Sequence, residues 1–71
     1  MNATTTVSAQ IEANNLKVIK DEIEHEVLLN KKFYKYAQCC NDAELKTLCN
    51  EASNAHRENF NSLKTYLDSH Q

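Results

Sequence analysis

Between residues 16 and 40 the chain alternates steps of three and four from one seam position to the next: Leu16, Ile19, Ile23, Glu26, Asn30, Phe33, Ala37 and Cys40. That interval marks a helix packed along its length against another helix. Two polar residues, Glu26 and Asn30, interrupt the seam at its middle. Val27 and Tyr34 widen the apolar stripe on one flank and Leu29 and Tyr36 on the other, as expected of a helix that touches more than one neighbour. Lys17, Asp21, Glu24, Lys31, Lys35 and Gln38 point away, and Leu28 is the one apolar residue among them. The spacing predicts a first helix over residues 9–40, with the Ser8 hydroxyl oxygen as its cap.

Carried past Cys40, the same rhythm would put Glu44, Thr47, Glu51, Asn54, Glu58 and Asn61 in the seam, all of them polar. The rhythm therefore resets. Restarted at Leu45, it collects Leu45, Cys49, Ala52, His56, Asn59, Leu63 and Tyr66, with Leu48, Ala55, Phe60 and Leu67 on the flanks. This predicts a second helix over 42–68. Asn41 and Asp42 lie between the two: Asn tolerates the left-handed backbone that ends a helix, and either residue can cap the next one. Asn41 with Glu44 has the spacing of a capping box. Lys31, Lys32 and Lys35 toward the end of the first helix, and Asp42 and Glu44 opening the second, suit the dipoles of the two helices. The fold class is all-α, an antiparallel two-helix hairpin.

Composition supports that reading. The 71 residues contain no glycine and no proline, which argues against hairpin turns, bulges and sheet corners. Residues 1–8, rich in threonine, read as a flexible tail, and 9–71 as a single helical-hairpin domain. A chain this short has difficulty burying enough apolar surface alone. Without a paired-cysteine framework or a C-x-x-C motif, help from a disulfide or structural zinc is not expected. The remaining source is homodimerisation into a four-helix bundle, or a higher homo-oligomer.

A net charge of -2, with acids and bases interspersed, leaves no footprint for nucleic acid. No apolar run approaches the ~20 residues needed to cross a bilayer, and the first residues lack the features of a secretory signal. Three cysteines, an odd number, read as reduced thiols in a cytoplasmic protein. Asn2-Ala3-Thr4 would matter as a glycosylation site only outside the cell. Cys40 and Cys49 fall at seam positions, where cysteine behaves as a small hydrophobe, and nothing near Cys39 activates its thiol. Tyr34, Tyr36 and Tyr66 belong to the core or an interface. His25 reads as a surface residue and His70 lies at a fraying end. No Ser-His-Asp spacing, phosphate loop or glycine motif supports hydrolase, kinase or dinucleotide chemistry.

The chemistry that remains is one polar layer. In a hairpin folded at Asn41, residues whose numbers sum to about 82 lie level, which pairs Ala37 with Leu45, Phe33 with Cys49, Asn30 with Ala52, and Glu26 with His56. Glu22 lies one turn farther from the loop, approaching Asn59 and Phe60. An imidazole facing carboxylates at this depth is either a hydrogen-bonded pair that sets register or a metal site, because an unpaired buried charge is costly.

The carboxylate in the first helix, its Tyr-rich end, the turn NDAELKTLCNEA and the following AHRENFNSLKTYL together resemble the ferritin-like superfamily. The resemblance spans residues 16–68 and is closest to short two-helix members similar to rubrerythrin halves and to the coat protein F family of bacterial spores. It implies a half-bundle that doubles by symmetry. In the family's metal sites a first-helix Glu faces an E-x-x-H motif, and Glu26 and His56 match the Glu and the His. Three residues before His56, however, the chain has Ser53 where the bridging Glu stands. Two functions follow from the resemblance. One is a non-enzymatic, spore-coat-like oligomerisation or interaction module. The other is a metal-binding protein or oxidase holding iron, manganese or zinc through Glu22, Glu26 and His56 of two copies.

Overall fold

The computed structural model describes residues 11–70, which form two helices, α1 from Ala13 to Cys39 and α2 from Ala43 to Ser69. They pack antiparallel along their length. Each has 27 residues, so each is about 40 Å long at ~1.5 Å per residue. Among the described residues, neither helix is long and apolar enough to cross a membrane.

The expected start of the first helix at residue 9 is corrected, since Ile11 and Glu12 are not helical. Glu12 is the cap: its carboxylate accepts from the backbone N–H of Asn14 at 3.2 Å and of Asn15 at 3.1 Å. A helix's first N–H groups have no partner within the helix, and a side-chain acceptor at this point satisfies them. Ser8, the anticipated cap, lies outside the described residues. At the other end Cys40 turns to extended backbone (φ -79°, ψ 138°) while its N–H still bonds the Tyr36 carbonyl at 3.0 Å. No base lies in the last turn of α1; Lys35, the nearest of the lysines expected to complement its dipole, sits just before that turn.

Of the two candidate caps for α2, Asp42 takes the role. Its carboxylate accepts from the Leu45 N–H at 2.7 Å, and Glu44 sits in the first turn, where a negative charge is favourable. The far end closes on His70, whose ring stacks on Tyr66 at 4.0 Å.

The seam of α1 falls where the three-four rhythm puts it, with Ile19 and Ala37 buried and the positions between them half-buried. The seam of α2 differs from the expected one by one residue at alternate positions. Cys49 and His56 face inward as expected, but Ser53, Phe60 and Leu67 take the inward places anticipated for Ala52, Asn59 and Tyr66. Cys49, Ser53, His56, Phe60, Leu63 and Leu67 form one unbroken rhythm of four and three, so the step of four after Cys49 falls where a step of three was expected. Among the described residues the buried set is small: Ile19, Ala37, Cys49 and Ser53.

Candidate functional site

Two polar contacts link the helices near their middle. In the first, His56 Nδ1 lies 2.5 Å from Glu26 Oε1, where an N–H on the ring nitrogen donates to the carboxylate oxygen. Both side chains are mostly buried, at 25% and 14% exposure. Phe33 lies almost parallel to the imidazole, with ring centroids 5.6 Å apart, and meets Tyr36 edge-on at 5.9 Å. The pairing anticipated by counting from the loop is therefore present.

The second contact has a different partner from the expected one. Asn30 meets Ser53, one residue beyond Ala52, because the α2 seam steps four residues rather than three from Cys49. The Asn30 amide donates to the Ser53 carbonyl at 2.7 Å and to its hydroxyl oxygen at 2.9 Å, and that hydroxyl donates to the Asn30 carbonyl at 3.0 Å. Ser53 is only 4% exposed. The residue that departs from the ferritin-like pattern is thus half of an interhelical clasp. The only trace of it in the sequence is a small hydroxyl residue beside an inward-facing turn and a polar residue in the opposite seam.

Glu22, the third candidate ligand, is exposed on α1 one turn before Glu26. Among the described residues no group of three or more His, Cys, Asp or Glu side chains is arranged to hold a metal ion. One chain therefore brings Glu26 and His56 together but does not add Glu22 to them.

The cysteines are free thiols, with Cys39 exposed, Cys40 half-buried and Cys49 buried. Partial burial, followed by the neighbouring Cys49 and Cys39 side chains, pushes the Cys40 thiol above its ordinary value, against a smaller opposing pull from Lys46. A raised thiol is a poor nucleophile at neutral pH, which agrees with a packing role. His25 is exposed, and Lys64 pairs with Asp68 at 2.9 Å on the open surface, a contact worth little. Compared with protein-family models, curated proteins and solved structures, the chain gives no match.

Proposed function

We propose that this chain is a non-enzymatic helical interaction module whose hairpin pairs with a second copy to form a four-helix, ferritin-like bundle of the spore-coat kind. The observation that carries this reading is the imbalance of burial. Among the described residues four are buried within one chain, whereas Val18, Leu28, Tyr34, Tyr36, Leu45, Leu48 and Tyr66 remain about half exposed. A large apolar side chain contributes roughly 1.5–3 kcal/mol when fully buried, and a two-helix hairpin cannot supply that burial for both sides of its stripe. A second hairpin can. The free thiols accord with a reducing compartment, read here as the cytoplasm. Native mass measured on a folded, anaerobic preparation tests the reading. A particle of about 16 kDa or more, at least twice the 8.1 kDa chain, is expected, and a folded species at the single-chain mass contradicts it.

A second reading is a metal-binding protein or oxidase with Glu22, Glu26 and His56 as ligands for iron, manganese or zinc. It is favoured by one observation: Glu26 and His56 are the middle residues of the two 27-residue helices. Hairpins overlapped along their full length bring both Glu26–His56 pairs to one level, whether the loops lie at the same end or at opposite ends. With Glu22, two copies then offer four carboxylates and two imidazoles, the ligand set of a di-metal bundle. A metal bound there would supply Lewis-acid or redox chemistry, with Glu22, Glu26 and His56 as the residues that would hold it. Titration of ferrous iron, manganese and zinc, with Glu26→Ala and His56→Ala as controls, tests this. Binding abolished by either substitution is expected; no binding at micromolar metal ends this reading and leaves the first intact.

A further inference from the structure

The two broad faces of the hairpin differ, and the difference follows from single-residue steps around each helix. One residue is about 100° of rotation. Val18 and Tyr36 immediately precede the inward-facing Ile19 and Ala37 on α1; Leu48 and Tyr66 immediately precede the inward-facing Cys49 and Leu67 on α2. In an antiparallel pair, a step in the same sense from each contact line brings side chains to the same broad face. All four are about half exposed. The residues immediately after the same positions, Lys20, Gln38, Asn50 and Asp68, are all polar and exposed. They turn to the opposite face, where Lys31, Tyr34 and Arg57 line an open cleft over the Asn30–Ser53 clasp. Among the described residues neither Lys31 nor Arg57 has a salt-bridge partner.

We infer that the second copy docks on the face of Val18, Tyr36, Leu48 and Tyr66, and that the face of Lys20, Lys31 and Arg57 stays in water. This rests on the pairing proposed above and specifies its surface. Two cylinders about 40 Å long and about 10 Å across present roughly 800 Å² on one side, about what each partner contributes to a stable interface. The opposite face is polar, with Lys20, Lys31 and Arg57 beside Glu24 and Asp68, and Tyr34 is its one large exposed apolar side chain by the same single-residue step. By the same single-residue step the apolar face carries one lysine, Lys32, immediately before the inward-facing Phe33, against Lys20, Lys31 and Arg57 on the other face.

Leu48 and Tyr34 are equally exposed, at 55%, but lie on opposite faces, which makes them a matched pair for substitution. Leu48→Lys, and independently Tyr66→Lys on the same face, should convert the assembly to monomers, with at least a tenfold rise in dissociation constant. Tyr34→Lys should leave the native mass unchanged. In the unsubstituted protein, cross-saturation between differently labelled copies should attenuate Leu48 and Tyr36 signals and spare Tyr34. An oligomer that survives Leu48→Lys, or attenuation centred on Tyr34, overturns this surface while the pairing stands. A folded monomer in the unsubstituted protein overturns both.

Discussion

The Asn30–Ser53 clasp gives the clearest consequence at the scale of single residues. Ser53→Ala removes two of its three hydrogen bonds at a buried position, where each is worth roughly 0.5–1.5 kcal/mol. The loss should be about 1–2 kcal/mol, read as a fall of about 5–10 °C in melting temperature; an unchanged midpoint would show that the clasp does not hold the helices. Glu26 opposite His56 was legible from the sequence because the loop fixes level, and level alone finds that partner. Asn30's partner was not, because Ala52 and Ser53 lie three and four residues from Cys49, and a rhythm of threes and fours admits either step there. Alanine at 52 also looked the better core residue, and only a facing asparagine makes serine the better fit.

At the scale of elements, the break between helices was legible and their ends were less so. Asp42 at the start of α2 follows a common capping preference, and its bond to the Leu45 N–H bears this out. Asp42→Ala should lower stability by about 1 kcal/mol, whereas Asn41→Ala, at an exposed neighbouring position, should stay within about 0.5 kcal/mol. Thermal melts of the two variants side by side check the assignment, and equal losses would place the cap elsewhere. The start of α1 was misplaced by four residues because Glu12 is not among the favoured caps and gives no sequence signal. The two backbone contacts of its carboxylate are visible only in the folded chain. With the correction, both helices have 27 residues, and this equality puts Glu26 and His56 at mid-length.

For the whole molecule, the all-helical hairpin was written in the absence of glycine and proline and in the two phases of one apolar rhythm. What the rhythm cannot express is which side of each stripe remains open, since a seam tells where a helix is touched and not how many neighbours touch it. The exposures of Val18, Tyr36, Leu48 and Tyr66 supply that information, and in the proposed pairing these side chains form the interface. An assembly that completes its apolar core only between copies has a stability inseparable from concentration. The most direct test is therefore the thermal unfolding midpoint followed by circular dichroism over about a hundredfold range of chain concentration. The midpoint should climb steadily with concentration as dissociation becomes coupled to unfolding. A cooperative transition at the same temperature throughout would show a hairpin stable by itself and contradict the account.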